Sequence, residues 1–174
     1  GWSPANGLQA GDNILDQWIL SRMQSLKARV ADEMEAYRLY NVVPPLLGFI
    51  EDLTNCYIRL NRARFWGAGM THDKRAAYST LYRVLQDLGK LMAPFAPFLA
   101  EHLYRELGAL GGGQVAPESV HLCDYPEADY ALIRLAERIG DLPVGGATAD
   151  AQAPPRHWID TVGAAPSLTA GNQV

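Results

Sequence analysis

Apolar residues recur at helical spacing over long stretches of this chain, and this periodicity constrains the fold more than any other feature. The longest stretch carries large apolar side chains three and four residues apart: Leu15, Trp18, Ile19, Met23, Leu26, Val30, Met34 and Tyr37. Such spacing lines one face of an α-helix. Asp12 or Asn13 just before the stretch offers a side-chain oxygen for the N-cap. We therefore predict a long first helix over residues 13–37.

Three further stretches have the same spacing and predict three more helices, over residues 42–66, 73–92 and 97–107. Pro44 and Pro45 fit the second helix because first-turn N–H groups have no intrahelical partner, and we expect Asn41 to cap it. The fourth helix is expected to bury one apolar stripe, made of Phe98, Leu99, His102, Leu103 and Leu107. Four helices with short connections predict an all-α, antiparallel up-and-down four-helix bundle.

The remaining segments have compositions that suggest other roles. Residues 1–12 are rich in Gly and Pro and are typical of a lead-in linker, while residues 119–125 alternate apolar and polar residues and favour a short extended segment. A further short helix is expected within 127–140. We therefore predict a bundle domain over 13–140. Residues 141–174 are Gly, Ala and Pro rich without a period, which predicts a low-complexity, disordered tail.

Charge is unevenly distributed along the chain. The formal net charge is −4, yet residues 1–107 carry 12 Lys and Arg against 11 Asp and Glu, and residues 108–174 carry 3 against 8. Residues 59–64 (RLNRAR) hold three arginines and no acid. A local basic patch on a neutral body indicates a protein that binds one shaped nucleic acid and does not coat nucleic acid indiscriminately.

Neither a membrane span nor a secretory signal is visible in the sequence as written, because it has no apolar run of 18 residues and no basic start followed by an apolar core. We expect a cytoplasmic protein with no membrane contact. Cys56 and Cys123 are too few for a disulfide framework.

The stretch from Tyr37 to Trp66 (YRLYNVVPPLLGFIEDLTNCYIRLNRARFW) closely resembles the anticodon-binding helical domain of isoleucyl-tRNA synthetases, which are class I aminoacyl-tRNA synthetases. The Val-Val-Pro, Leu-Thr-Asn-x-Tyr and Arg-x-Asn-Arg elements within it are most similar to the eukaryote-like branch. Flanking pieces agree: LDQWI at 15–19, LMAPFAPFLAE at 91–101, ESVHL at 118–122 and DYP at 124–126. The resemblance covers residues 1–135, and its motifs are specific as a set, although Ala-Pro-Phe-x-Pro-Phe also occurs in valyl and leucyl enzymes.

This resemblance implies binding to the anticodon stem-loop of a tRNA, most directly isoleucine tRNA. RNA loops are recognised by stacking of splayed bases and by cationic contacts to phosphates. In a regular helix, the side chains of Asn55, Arg59, Arg62 and Trp66 lie opposite the core face. We expect these four residues to bind tRNA together with three that lie near the same end of the bundle: Arg64, Lys74 and Arg75. Arg64 differs from the first four residues in direction, because in a regular helix it lies on the core face, at the end of the helix.

The chain also departs from the family pattern. The adenylation motifs of the His-Ile-Gly-His and Lys-Met-Ser-Lys-Ser types are absent from the sequence, so we expect no ATP binding and no enzymatic activity from this chain by itself. Cys56 stands where the family usually has Trp, and Ala63 interrupts what is usually an unbroken run of arginines. We expect neither a cofactor nor a metal, since His121 and Cys123 supply two of the four ligands that a structural zinc site needs.

Three roles are compatible with the sequence. The chain is a detached or truncated tRNA-binding domain that works with a synthetase catalytic domain, or a protein-interaction or dimerisation module that has lost tRNA binding, or a domain cut from a complete ATP-dependent ligase. The acidic second half, Cys56 and Ala63 favour the second role. The sequence leaves open the oligomeric state and the anticodon bases that are contacted.

Overall fold

Helices make up the fold of this chain. A computed structural model describes residues 1–111 and 117–133. In chain order, the helices are α1 (Ile14–Glu35), α2 (Val43–Glu51), a π-helical segment (Asp52–Ile58), α3 (Arg62–Trp66), α4 (His72–Met92) and α5 (Pro97–Leu110). Short 3-10 turns cover Pro4–Asn6, Leu39–Asn41 and Val120–Leu122, and the described residues contain no strand. The all-α helical bundle is confirmed.

Helix α4 lies at the centre of the bundle, in contact with α1, α3 and α5, while α1 also packs on α2 and the π segment. The core between these helices contains buried side chains from each of them, and the fully buried ones include Ile19, Met23, Tyr57, Val84 and Leu91. No helix in the described part of the chain is both long and apolar enough to cross a membrane.

Local signals set most helix ends as predicted. The Asn13 side chain accepts a hydrogen bond from the Leu15 N–H at 2.9 Å and caps α1. Thr71 caps α4 in the same way, and Pro97 is the first residue of α5. The prediction for Asn41 was wrong: Val42 occupies the N-cap of α2, and the Asn41 amide instead donates to the Glu33 carboxylate at 2.9 Å.

The second predicted helix is not one regular α-helix. Between α2 and α3, the Arg59 N–H bonds back to the Thr54 carbonyl, an i→i+5 bond that widens the turn. Each residue in such a turn rotates by less than the 100° of an α-helix. In an unbroken α-helix Phe65 would lie about 100° from Leu46, yet both side chains are buried, Phe65 at 5% exposure. The π segment thus realigns α3 with the core.

The expected core stripe of the fourth helix was wrong for three of its five residues. Phe98 is 91% exposed, Leu99 is 56% exposed and His102 is also exposed. The buried face instead carries Ala100, Tyr104 and Leu107. Two stripes with helical spacing overlap in this sequence, and the buried one runs through Ala100, Tyr104 and Leu107. Tyr104 fits there because its hydroxyl donates to the Pro117 carbonyl at 2.8 Å.

The segments outside the main helices also pack on them. Trp2 of the lead-in stacks on Tyr78 with ring centroids 5.8 Å apart, and its indole N–H points at Ser79 Oγ at 3.4 Å. Val120–Leu122 form a 3-10 turn inside the stretch predicted to be extended, and the Val120 side chain is buried. Of the short helix expected within 127–140, residues 130–133 are helical; the rest of it and the predicted tail lie outside the described residues.

The turn between α1 and α2 is fastened by one carboxylate. Glu33 accepts hydrogen bonds from Arg38, at 2.7 and 3.2 Å, and from the Asn41 amide. Arg38 directly precedes the 3-10 turn Leu39–Asn41, and Asn41 ends it. Tyr37, just before Arg38, has the left-handed φ of 56° that bulky residues rarely adopt. The bonds from Arg38 and Asn41 lower the pKa of Glu33 from 4.5 to about 2.

Glu33 should therefore contribute to a pH-dependent part of the stability. A depressed pKa in the folded state means that the contribution is present above pH 4.5 and is lost as the pH falls towards 2. We expect Glu33→Gln to be less stable than the parent at pH 6 and the two free energies of unfolding to converge between pH 5 and pH 2. Urea unfolding across this range measures the difference. A difference that stays constant with pH would contradict the pairing.

Candidate nucleic-acid interface

The residues predicted to bind RNA separate into an exposed ridge and a set of side chains with internal partners. The exposed ridge consists of Asn55, Arg59, Arg62 and Trp66, and all four side chains are solvent-exposed. Asn55 lies in the π segment, Arg59 follows it, and Arg62 and Trp66 are the first and last residues of α3. Buried residues alternate with them along the same stretch, namely Tyr57, Asn61 and Phe65.

Trp66 supplies an open aromatic surface at the end of the exposed ridge. Its side chain is 69% exposed. It packs edge to face on Phe65, with ring centroids 6.0 Å apart and an interplanar angle of 84°. Phe65 is itself buried between Tyr57 and Tyr78. The indole is therefore supported from the core and remains available for stacking against a planar partner.

Arg59 and Arg62 carry uncompensated positive charges. Within the described ranges, neither guanidinium lies in an ion pair with a carboxylate, whereas Arg22 is paired with buried Asp52 at 2.5 Å. Exposed guanidinium groups of this kind can donate two parallel hydrogen bonds to a phosphate. The exposed ridge therefore combines two cationic groups, one amide and one indole.

Arg64 differs from its neighbours because its guanidinium is turned inward. Its side chain is 13% exposed and pairs with Asp16 at 2.9 Å and with Asp73 at 2.6 Å. Burial lowers the pKa of Arg64, but the hydrogen bonds that it donates to the two carboxylates outweigh that effect and the pKa is raised above its usual range. The Arg64 guanidinium therefore belongs to an internal ion-pair network and lies outside the exposed ridge.

Asp16 and Tyr57 extend this buried network below the exposed ridge. The Tyr57 hydroxyl donates to Asp16 Oδ1 at 2.7 Å, and Asp16 is 1% exposed. Burial, followed by the nearby Asp16 carboxylate, raises the pKa of Tyr57 well above its usual range. Asp16 was not among the residues predicted from the sequence, although a signal was present: Asp16, Ile19 and Met23 share one helical face that is otherwise apolar.

Lys74 and Arg75 lie in the first turn of α4, beside the end of α3. The Lys74 ammonium donates to the Gly67 carbonyl at 2.8 Å, and the Arg75 guanidinium donates to the Met70 carbonyl at 2.8 Å. Carbonyl partners orient these groups without neutralising them. Arg75 also borders a cavity of about 410 Å³ that Trp2 and Gln9 help to line. Both cations therefore add positive potential next to Trp66.

Cys56, next to Asn55 of the exposed ridge, is half-buried. Burial raises the pKa of the Cys56 thiol, and the negative charge of Asp52 adds to this effect. The thiol is therefore neutral at physiological pH and brings no charge to the surface. Among the described residues, no three His, Cys, Asp or Glu side chains lie close enough together to hold a metal ion.

Comparison with known proteins gives consistent matches. A family model described as the anticodon-binding domain of tRNA ligase matches residues 16–148. An isoleucine–tRNA ligase of Bdellovibrio bacteriovorus is 52% identical over 134 residues, which cover 77% of this chain and 12% of that protein. The corresponding ligase of Chlamydia trachomatis serovar D is 50% identical, covering 66% of this chain and 11% of the relative. That of Clostridium novyi is 41% identical, covering 70% and 12%. The chain thus spans about an eighth of the length of the relatives that it matches.

Proposed function

Because the chain belongs to the family of anticodon-binding domains of tRNA ligases, we propose that its exposed ridge binds the anticodon stem-loop of a tRNA. The observation that carries this proposal is a combination on one stretch of helix. Arg59 and Arg62 have no carboxylate partner in the part of the chain that the structure describes, and the indole of Trp66 beside them is supported by the core but open. If this basic surface only faced solvent, it would not need an exposed tryptophan at its end.

Each group of the exposed ridge has a task that suits an RNA loop. Trp66 stacks on an unpaired base, a contact worth about 1–3 kcal/mol per base. Arg59 and Arg62 hold phosphates by charge-assisted hydrogen bonds. The Asn55 amide, which carries both donors and an acceptor, can read the edge of a splayed base. Lys74 and Arg75 strengthen the attraction to the backbone beside Trp66.

We propose isoleucine tRNA as the partner. The support for this choice is that the relatives described above are named isoleucine–tRNA ligases and match most of this chain. In our proposal the chain supplies tRNA binding and no catalysis, since the adenylation motifs do not occur in its 174 residues. Charging of the bound tRNA would then require a synthetase catalytic domain, in a longer polypeptide or in a separate one in the cytoplasm.

Titration of the chain with labelled isoleucine tRNA and with a non-cognate tRNA tests this function. We expect the isoleucine tRNA to bind more tightly. Its affinity should fall with salt, with a slope of log K against log salt of about −1.4 to −3.6, because two to four phosphates are neutralised at about 0.7 to 0.9 each. Fluorescence anisotropy between 50 and 300 mM salt gives both quantities. Equal affinity for the two tRNAs would contradict the isoleucine assignment.

Failure of both tRNAs to bind would instead favour the interaction module. One feature of the structure supports that second function. Around the turn between α1 and α2, apolar side chains are unusually exposed: Tyr37, Leu39, Tyr40, Val43 and Leu47. An apolar surface of this kind can mark contact with another protein. Sedimentation velocity on the same samples would then report whether the chain self-associates.

A further inference from the structure

We propose that Arg64 is a positioning residue: clamped between Asp16 and Asp73, it sets the orientation of α3 against α4 and thereby aligns the exposed ridge with Lys74 and Arg75. It does so without contacting RNA. This inference rests on the proposed function, because it concerns the surface that binds the tRNA.

The guanidinium of Arg64 has no N–H group left for a phosphate. Nε donates to Asp73 Oδ2 at 2.8 Å. Nη1 donates to Asp16 Oδ1 at 2.9 Å and to Asn61 Oδ1 at 2.8 Å. Nη2 donates to Asp16 Oδ2 at 2.9 Å and to Asp73 at Oδ1 and the carbonyl, at 2.6 and 3.1 Å. Because an arginine has five N–H donors, binding a phosphate would require Arg64 to give up one of these partners.

The helix that this clamp fixes is too short to hold its own geometry. Helix α3 has five residues, and isolated helices of fewer than about 12 residues are marginal in water. It is followed by Gly67 and by Gly69, which has a left-handed φ of 76°. The orientation of Arg62 and Trp66 at the two ends of α3 therefore depends on tertiary contacts, and Arg64 lies between them.

Asp16, the partner of Arg64 on the buried side of the clamp, is itself held in place by its neighbours. Asp16 also accepts the Tyr57 hydroxyl, and Gly11 lies so close that a Cβ there would be 2.9 Å from Asp16 Oδ2 and 2.8 Å from the Ala76 Cβ. The start of α1 is thus tightly packed against α4 at this point. On the outer side of the clamp, Asp73 lies in the first turn of α4, directly before Lys74 and Arg75. Asp73 thus links Arg64 to the turn that holds these two cations.

Electrostatics alone would disfavour an acid at this place. The Asp73 side chain is 57% exposed next to the cations, where its negative charge repels phosphate. If Asp73 affected binding only through its charge, then removing the charge would strengthen tRNA binding. If Asp73 positions Arg64, the same change weakens binding. The two explanations therefore predict effects of opposite sign.

The test compares Asp73→Asn with Glu51→Gln in the full chain. Glu51 is an exposed acid one turn before Asn55, with no ion-pair partner in the described ranges, so Glu51→Gln removes the same charge near the same surface. We expect Asp73→Asn to weaken isoleucine tRNA binding by about three- to tenfold and Glu51→Gln to leave it unchanged or slightly tighter. Asp73→Glu, which keeps the charge and can keep the pair, should bind within twofold of the parent.

Amide hydrogen exchange without RNA separates positioning from general loss of structure. In Asp73→Asn we expect faster exchange over residues 62–75 and unchanged exchange in α1 beyond its first turns. Two results would overturn the positioning role alone, provided that the parent binds tRNA normally. One is tighter or equal tRNA binding by Asp73→Asn. The other is weaker binding by Asp73→Asn with unchanged amide exchange over residues 62–75. No tRNA binding by the parent would overturn the proposed function and, with it, this inference.

Discussion

Simultaneous replacement of Arg59 and Arg62 by Ala should weaken binding of isoleucine tRNA by about 10- to 100-fold and leave the bundle folded. This loss corresponds to about 0.7–1.4 kcal/mol per contact, since a factor of ten is about 1.4 kcal/mol. The value is below the roughly 1.5–3 kcal/mol typical of hydrogen bonds to charged groups because both contacts are solvent-exposed. The fold should persist because both side chains are exposed and have no carboxylate partner among the described residues. The measurements are anisotropy titration for affinity and circular dichroism for helix content.

The matched control for this variant is Arg29→Ala together with Arg83→Ala. These arginines are exposed on α1 and α4, away from the exposed ridge, and their removal changes the net charge by the same amount. We expect the control to lose less than about threefold in affinity. The salt slope should also decrease by about 1.4 to 1.8 in the ridge variant, since two phosphate contacts are lost, and by much less in the control. Similar losses in both variants would show that net charge matters and the ridge does not.

Replacement of Arg64 by Leu should lower the free energy of unfolding by about 3–5 kcal/mol. Removing one partner of a buried pair leaves an uncompensated buried charge, and Asp16, which is 1% exposed, would be that charge. Small domains are stable by only about 5–15 kcal/mol in total, so the loss is a large share. Urea unfolding followed by circular dichroism at pH 7 measures it.

Arg62→Leu is the control for this effect, because it removes the same side chain two positions away, at an exposed site on the same helix. Its unfolding free energy should stay within about 0.5 kcal/mol of the parent. The double variant Asp16→Leu with Arg64→Leu should lose less than the sum of the two single variants, since it removes the buried carboxylate together with its partner. Additive losses would show that the two side chains do not act as a pair.

The parts of the fold that depend on local patterns could be predicted from the sequence. Helices α1 and α4 follow from long apolar stripes and from caps at Asn13 and Thr71, and each of these signals acts within a few residues. The family could be identified because its motifs lie in the continuous stretch 37–66 and are specific as a set. Arg59, Arg62 and Trp66 are exposed as expected, although the π segment before them breaks the regular helical spacing on which that expectation rested.

The features that the sequence analysis missed depend on which neighbour a side chain meets. Phe98 is left uncovered by the helices of the described residues, because α5 buries the stripe of Ala100 and Tyr104 instead. Arg64 was grouped with the basic residues around it because its partners, Asp16 and Asp73, lie 48 and 9 residues away in sequence. The spacing of apolar residues alone does not show which side chains pair across the fold. An acid on an otherwise apolar helix face does, however, indicate a buried partner.

The number of residues in the π segment between α2 and α3 determines which way the later side chains of the exposed ridge face. If a single residue were deleted between Asp52 and Ile58, the backbone could close ordinary α-helical turns there, but every later side chain would rotate by about 100° about the helix axis. Phe65 would then leave the core, and Arg62 and Trp66 would point in new directions. Alignments that place a gap in this segment therefore compare surfaces that face different ways, even where the flanking letters are identical.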